Sequence, residues 1–330
     1  MNLSLRVVAA ASETALVRRI VLASSSGESL PGFEPGAHVT VQVPGVGRRK
    51  YSLVSFEPSG AERRPATYVL GVRRDDAGQG GSLFMHALKI GDALEVEAPE
   101  NDFRLAEGGG PVTLIAGGIG ITPLIAKAAT LKAAGRPFRL VYAARAQAEF
   151  AFLPELRRLC GDALVLHADE DAGGLLDIKA LVDSLGPDEP VYICGPRPMI
   201  RAAVQESRAL GWPEQRLRFE LFFSPAAAPP APPPAPAPAP AADSFEVEIR
   251  STGAVYAVPA GKSILSVLIE AGVDPLHDCD KGECGVCQVD VIEGVPDHRD
   301  SILSEAERAA GKTMQICVSR SKSPRLVLDL

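Results

Sequence analysis

The sequence predicts a multidomain chain: an antiparallel six-stranded β-barrel, a doubly wound α/β parallel sheet and a compact α+β domain. Three observations predict it. Residues 1–105 carry six short β-like segments parted by turn residues. From Pro111 to Phe223 apolar strands alternate with glycine-stopped helices. A proline- and alanine-rich tract, SPAAAPPAPPPAPAPAPAA, then sets the last part of the chain aside. With 330 residues the chain is too long for one ordinary core. The boundaries read as 1–105, 106–223, a linker over 224–243, and 244–330.

The first part contains LSLRVVAA, TALVRRIVLA, HVTVQVPG, RKYSLVS, TYVLGVRR and DALEVEAP, a spacing that suits a small barrel. Only SLFMHALKIG, after GQGG, has a helical pattern there, with Ser82 in the N-cap position. The second part runs through the strands PVTLIAG, FRLVYAAR, ALVLHAD, PVYICG and RLRFELFF. Between them lie the helices PLIAKAATLKAAG, FLPELRRLCG, LLDIKALVDSLG and RPMIRAAVQESRALG. Five apolar strands alternating with helices indicate a parallel sheet wound on both faces. Proline at the density of the tract cannot enter a sheet or a helix interior, so an extended spacer is expected. At about 3.1 Å per residue, roughly 17 such residues reach about 50 Å. The last part opens with a hairpin, FEVEIR and AVYAVPAG. The helix SILSVLIEAG follows, capped by Ser263 and stopped by Gly272, and then the strands QVDVIEG and RLVLDL.

Composition narrows the function classes. A 46% hydrophobic and 23% charged content is that of a globular protein, and a net charge of −7 argues against nucleic acid as a partner. Residues 244–330 hold fourteen acidic against nine basic residues, so most of the negative charge lies at the cysteine-rich end, which suits a basic docking partner. The uncharged run from Gly108 to Ala126 has the length of a membrane span. Its glycines, with Pro111 and Pro123, suit strand, loop and helix better, so no membrane is expected. MNLSLRVVAAAS is a poor secretory signal, its short apolar run being broken by Arg6. Closely spaced cysteines in such a chain point to the cytoplasm and metal binding rather than disulfides.

The cysteine pattern is the sharpest chemical signal. Cys279, Cys284 and Cys287 stand in HDCDKGECGVCQVD and Cys317 in MQICVSR, giving C-x4-C-x2-C-x29-C. Structural zinc usually takes well-separated C-x2-C pairs, and only Cys284–Cys287 has that spacing. The whole pattern is the plant-type [2Fe–2S] spacing. Gly282, Gly285 and Val286 are small enough for a loop wrapped around a cluster. No C-x-H pair exists for a Rieske centre, and His277 reads as a loop residue rather than a ligand. Cys160 reads as packing.

HDCDKGECGVC, VPDHRDSILSEAE and ICVSRSKSPRLVLDL together resemble the ferredoxin end of the phthalate dioxygenase reductase family, to which vanillate demethylase reductases belong. The resemblance covers the chain apart from the Pro/Ala tract, which is longer than the family's own connection. It implies a flavin barrel, an NAD domain and a plant-type ferredoxin (β-grasp) domain, with FMN, NADH and a [2Fe–2S] cluster as cofactors. Alone, RKYS describes any half-exposed strand. In the family's R-x-Y-[ST] position the resemblance implies that Arg49 meets the flavin phosphate, Tyr51 lies against the ring and Ser52 hydrogen-bonds near its reactive nitrogen. Lys50 is also among the flavin-binding residues it implies. GVRRDDAGQGGS is by itself a glycine turn; the resemblance gives Val72, Arg73, Gly80, Gly81 and Ser82 to the flavin, and its GGS form implies FMN rather than FAD.

AGGIGITP closes the first strand of the parallel sheet and opens its helix, where this fold places ligands. The resemblance gives Gly117, Gly118, Gly120, Thr122 and Pro123 to the nicotinamide dinucleotide. In CGPRPM, Cys194, Gly195 and Pro196 fall beside the nicotinamide, though Cys194 also fits as a small buried residue. Arg145 is the one basic residue after the second strand and ADEDAGG follows the third, a balance that suits NADH over NADPH. FELFF by itself suits an ordinary strand, but it matches the family's F-E-x-F ending. The resemblance implies Phe222 over the flavin ring with Glu220 nearby, and Ser52 and Cys194 as the other residues at the reaction.

The expected function is an NADH-dependent reductase component that passes electrons from NADH through FMN and [2Fe–2S] to a separate Rieske-type aromatic-ring dioxygenase or O-demethylase. A monomer is expected, and the long linker suggests that the ferredoxin domain alternates between flavin and partner. Two rivals stand beside it: a self-contained NADH oxidase or quinone- or iron-reducing flavoenzyme, and a non-enzymatic electron carrier.

Overall fold

The computed structural model describes residues 2–222 apart from 77 and 79, and residues 244–330 apart from 274, 276, 278, 279 and 284. The Pro/Ala tract, Cys279 and Cys284 lie outside the described residues. The chain forms two compact units, Met1–Phe222 and Phe223–Leu330.

Six antiparallel strands open the first unit: β1 (Asn2–Ser12), β2 (Val17–Ser24), β3 (His38–Val43), β4 (Gly47–Val54), β5 (Thr67–Arg73) and β6 (Ala93–Glu97). They close into a barrel in the order β1-β2-β5-β4-β3-β6, so no sheet edge is left open. The inward residues of the alternating strands fill it, among them Val7, Ile20, Val41, Leu53, Tyr68 and Leu70. One short helix, α1 (Gly81–Ala87), is held against the barrel at its C-terminal end. Arg18 donates to the carbonyls of His86 and Leu88, and His86 Nε2 donates to the Val72 carbonyl at 2.8 Å. The helix ends one turn earlier than SLFMHALKIG suggests, where Leu88 turns to extended backbone.

The parallel sheet follows: β7 (Val112–Gly117), α2 (Thr122–Ala133), β8 (Phe138–Ala144), α3 (Leu153–Cys160), β9 (Leu164–Ala168), α4 (Asp169–Ala172), α5 (Ile178–Asp183), β10 (Val191–Cys194), α6 (Arg197–Ala209) and β11 (Leu217–Glu220). All five strands run parallel in the order β11-β10-β7-β8-β9. The uncharged run from Gly108 is thus a strand, a 3-10 turn and a helix, and among the described residues no helix is long and apolar enough to cross a membrane.

Helix α2 is buried on nearly every side, because it lies between the parallel sheet and the barrel. Val17, Val54 and Phe103 from the barrel side join Leu124, Ile125, Leu131 and Tyr142 in one apolar cluster. Gly71 on β5 allows this approach: a Cβ there would meet Thr122 Cγ2 at 2.8 Å and the Phe152 ring at 2.9 Å. Barrel and parallel sheet therefore share a core within one unit.

The second unit contains β12 (Phe245–Ile249), β13 (Ala254–Val258), α7 (Ile264–Glu270), β14 (Gln288–Glu293), β15 (Pro296–Asp297), α8 (Glu305–Ala310), β16 (Thr313–Gln315), β17 (Arg320–Ser321) and β18 (Arg325–Asp329). Its main sheet has the order β13-β12-β18-β14-β16. The C-terminal strand β18 is central and parallel to β12, with α7 packed on one face. As expected, Ser263 caps α7, its hydroxyl accepting from Ser266 N at 3.0 Å, and Gly272 follows the helix at φ +79°.

Candidate functional site

The strand order of the parallel sheet reverses between β7 and β10, whose C-terminal ends are in register at Ala116 and Cys194. That switch point is where this fold binds ligands. The loops leaving the two strands, AGGIGITP and CGPRPM, are pressed together there. A Cβ on Gly117 would lie 2.5 Å from Pro196 Cδ, one on Gly195 3.0 Å from Gly117 Cα, and one on Gly120 would overlap the Cys194 carbonyl. Main chain thus replaces side chain at the place a dinucleotide must approach. Gly118 takes φ +53°, Thr122 Oγ1 donates to the Ile119 carbonyl at 3.0 Å, and Pro123 sits in the first turn of α2. Arg145 is exposed just beyond β8.

On the barrel side, β4 links two parts of the site. At its start the Arg49 stem packs on Gly81, whose Cβ would stand 3.1 Å from Arg49 Cγ, so the RKYS and GGS segments meet. Gly80, at φ +89°, is the N-cap of α1. Ser82 is therefore not the N-cap. It lies inside the helix, and its hydroxyl donates to the Asp75 carbonyl at 3.2 Å and accepts from Asp75 N at 3.0 Å. Two glycines ahead of the serine let the helix begin two residues early. Arg73 is exposed. Val72 turns its side chain into the barrel core and its carbonyl to His86, so its side chain belongs to the barrel filling.

Further along β4, Tyr51 is half-buried, and burial pushes its phenol up to about 12. Ser52 is 4% exposed, and its Oγ meets no hydrogen-bond partner among the described residues. His38 pairs with Ser52 across β3 and β4, is 3% exposed, and likewise leaves both ring nitrogens without one. Burial, then nearby Lys50, holds His38 below the usual imidazole range. Both lie on the barrel's outer face, out of phase with the inward Val39, Val41 and Leu53, and Glu100 Oε2 stands 3.9 Å from His38 Nε2. Buried polar side chains without hydrogen bonds cost free energy unless a ligand satisfies them. Together with the cationic Arg49 stem on Gly81, they fit a ring edge rich in nitrogen and oxygen that carries a phosphate.

The end of β11 completes the seam. Glu220 is in register with Cys194, and its shielded Oε2 has no hydrogen-bond partner among the described residues. Burial raises its carboxyl to about 7, with Asp102 adding to the rise and Lys127 and Lys50 opposing it. Cys194 is fully buried, which pushes its thiol well up, so it is a neutral thiol rather than a thiolate. Phe222 is 44% exposed just beyond β11, available to cover a planar ring. Lys50 ion-pairs with Asp102 at 3.2 Å, and both stand near enough to Glu220 and His38 to act on each. His38 and Lys127 are not marked by any motif in the sequence. The one available signal was a lysine inside an otherwise apolar helical run, PLIAKAATL.

In the second unit Cys287 and Cys317 are buried with their sulfurs 3.1 Å apart. The hydrogen bond from Cys287 is the main cause lowering the Cys317 thiol, burial opposes it, and the Gly282 N–H adds to the lowering. Gly282 (φ +71°), Gly285 (φ +76°) and Asp280 (φ +54°) are left-handed, as a loop wound around a small object requires. Gly282 is also anchored, its carbonyl accepting from Ser301 N at 3.1 Å. Paired sulfurs, a backbone N–H on sulfur and a tightly wound loop fit an iron–sulfur cluster. His277 donates from Nδ1 to the Pro275 carbonyl at 2.9 Å.

Two stretches of the chain match known domain families. Residues 247–322 match the family described as the 2Fe-2S iron-sulfur cluster binding domain, and residues 114–205 match the oxidoreductase NAD-binding domain. The chain is 38% identical over 310 residues to a tetrachlorobenzoquinone reductase of Sphingobium chlorophenolicum, covering 92% of this chain and 90% of that one. It is 36% identical over 313 residues to the phthalate dioxygenase reductase of Burkholderia cepacia, covering 94% and 91%. A solved structure of phthalate dioxygenase reductase, described as a modular structure for electron transfer from pyridine nucleotides to [2Fe–2S], aligns with a TM-score of 0.62 at 34% identity, over 100% of this chain and 98% of that one. The chain belongs to the phthalate dioxygenase reductase family and is an oxidoreductase that joins an NAD-binding domain to a [2Fe–2S] domain.

Proposed function

We propose that the protein is the NADH-dependent reductase component of a Rieske-type oxygenase acting on an aromatic ring or removing an O-methyl group. The observation that carries this reading is the seam itself. The two glycine loops of the switch point, the orphaned Ser52 and His38, and Glu220 belong to one unit whose two sheets share a core. Such a seam can hold a nicotinamide against a flavin in fixed register, and hydride transfer needs that orientation more than it needs a protein acid or base.

Bound FMN supplies the exchange between a two-electron hydride donor and a one-electron acceptor. The chain's own residues do the placing. Arg49 and the Gly80–Ser82 turn take the phosphate, Tyr51 lies along the ring, and Ser52 and His38 supply hydrogen bonds at its polar edge. Gly117, Gly118 and Gly120 admit the dinucleotide, Cys194 to Pro196 border the nicotinamide, and Phe222 shields the ring until the nicotinamide arrives. Arg145, alone on its strand end, leaves no basic cluster for a 2′-phosphate, which supports NADH. Cys279, Cys284, Cys287 and Cys317 are read as the cluster ligands. We read the domains as 1–105, 106–223 and 244–330, joined by a linker over 224–243. The partner is read as a separate oxygenase that docks on the acidic ferredoxin domain of a cytoplasmic monomer.

The test is an absorption spectrum of the purified protein with chromatography of the released flavin, followed by NADH consumption. FMN, a [2Fe–2S] spectrum and NADH use that rises when a Rieske oxygenase is added are expected. Colourless protein would sink the reading. A second reading, a quinone-reducing flavoenzyme, is favoured by the 38% identity to a tetrachlorobenzoquinone reductase. Fast NADH use with a quinone and no response to any oxygenase would establish it instead.

A further inference from the structure

Helix α2 carries a lysine where no solvent reaches. Lys127 is 0% exposed, and its Nζ donates to the carbonyls of Pro35, at 3.2 Å, and Phe103. It also stands 4.2 Å from the centre of the Phe103 ring and 5.2 Å from that of Tyr192. Pro35 leads into β3, Phe103 follows β6, and Tyr192 is on β10 two residues before Cys194. One ammonium thus joins the barrel, its exit loop and the parallel sheet. Gly36, at φ +95°, is shaped around it, since a Cβ there would overlap Nζ. An ordinary buried contact would be made by Leu or Met at this position, at no cost of desolvating a charge.

Tyr192, whose ring Lys127 reaches, and Cys194 lie two residues apart on one face of β10. Glu220 is in register with Cys194 on β11, so it shares the sheet face that Lys127 packs against. Burial is the main cause lowering Lys127, to about 7; Arg218 adds to the lowering, while Glu220 and Cys194 oppose it. Burial also raises Glu220 to about 7, with Asp102 adding and Lys127 and Lys50 opposing. The groups facing the pair are therefore Arg218 on β11, Cys194 on β10, Lys50 on β4 and Asp102 after β6.

We propose that Lys127 is a positioning residue of the hydride-transfer site: it locks α2 to both barrel loops and places a positive charge on the sheet face that carries Glu220. The inference rests on the reading of Glu220 as part of the nicotinamide site. It gives the site a built-in pH response. Lys127 titrates lower in the folded chain than its ordinary value of 10.5, so the unfolded chain holds the extra proton between about pH 7 and 10.5, and stability rises with pH across that window. Glu220 titrates higher than its ordinary 4.5, so its contribution is present below pH 4.5 and is lost as pH rises through about 7. The two contributions together give a stability minimum near pH 7.

The experiment follows the Glu220 carboxyl band by infrared spectroscopy in the resting full-length holoprotein, across pH, with E220Q to assign the band. It runs on wild type, K127M and K127R, alongside NADH turnover. K127M is expected to move the Glu220 titration upward by about one pH unit and to lower kcat about tenfold with little change in KM. K127R keeps the charge and is expected to keep the wild-type titration. Should K127M fail to fold, K127Q retains two N–H donors without the charge and takes its place. An unshifted titration in the uncharged variant, or the same shift in K127R, overturns the assignment of Lys127. Wild-type NADH turnover in E220Q overturns instead the reading of this seam as the nicotinamide site.

Discussion

The two redox sites of this chain are built on opposite plans. The seam proposed for nicotinamide and flavin lies where two sheets share a core, and its shape is set by main chain packed on main chain at Gly117, Gly120 and Gly195. The cysteine loop belongs to one small sheet with its own core, and two of its sulfurs already lie 3.1 Å apart. A seam of the first kind is held by an apolar core and by main chain packed on main chain. A loop of the second kind gains its stability from the group it holds, because metal–thiolate binding is folding free energy. The lesson is that the electron-accepting end should be lost and regained with its iron, whereas the hydride-accepting end should survive cofactor removal with its geometry intact.

The largest effect that tests this contrast comes from Cys317→Ser. The cluster absorption is expected to disappear, and electron delivery to a one-electron acceptor with it, while NADH still bleaches the flavin at the wild-type rate. Stopped-flow reduction at the flavin band checks this. A parallel loss of flavin reduction would show that the two units do not work independently.

Next comes Gly120→Ala. The added methyl would overlap the Cys194 carbonyl, so the two switch-point loops must part. Misplacing a bound reactant by about 1 Å costs about 100-fold, and a loss of that size in NADH-driven flavin reduction is expected with an unchanged iron–sulfur spectrum. A near-wild-type rate would mean that the loops are not rigidly packed, and the comparison would lose its first half.

Leu124→Ala sharpens it thermodynamically. Leu124 is 0% exposed in the cluster that the barrel and the parallel sheet share. The truncation should cost about 2–5 kcal/mol in the first unit. Thermal unfolding followed by flavin release should move down, while loss of the cluster signal stays where it was. One transition that shifts as a whole would contradict the division into two units.

The same contrast explains what was legible in the sequence. Loops such as AGGIGITP and CGPRPM could be read because glycine and proline there answer a local demand, a tight exit from a strand into a helix. The cysteine spacing could be read because ligand geometry fixes it. Lys127 and His38 could not, because their meaning depends on which surfaces meet. A lysine on an alanine-rich helix is ordinarily solvated, and only the barrel lying against α2 buries it. Ser82 misled for a local reason: the N-cap preference describes serine well, but Gly80 took the position and Asp75 took the hydroxyl. The short strands β15 and β17, two residues each, carry no periodicity at all.

Helix α8 is the converse case, an element whose signal was present in plain view. SEAE has the S-x-x-E spacing of a capping box, and both halves form: Ser304 Oγ accepts from Glu307 N at 3.3 Å, and Glu307 Oε2 accepts from Ser304 N at 2.8 Å. No side chain of this helix is buried, so its stability comes from the box, from Gly311 at φ +63° and from Arg308, which donates to the Leu303 carbonyl at 3.0 Å. Arg308 also reaches the carbonyl of Asp300, next to the Ser301 that anchors Gly282. The helix therefore braces the cysteine loop through Arg308 and the Asp300–Ser301 segment. Ser304→Ala should cost about 1 kcal/mol in the second unit alone. If the bracing holds, iron loss to a chelator will be severalfold faster in the variant, with NADH-driven flavin reduction unchanged. Equal iron-loss rates would mean that α8 is a passive cover and that the cluster loop keeps its shape without it.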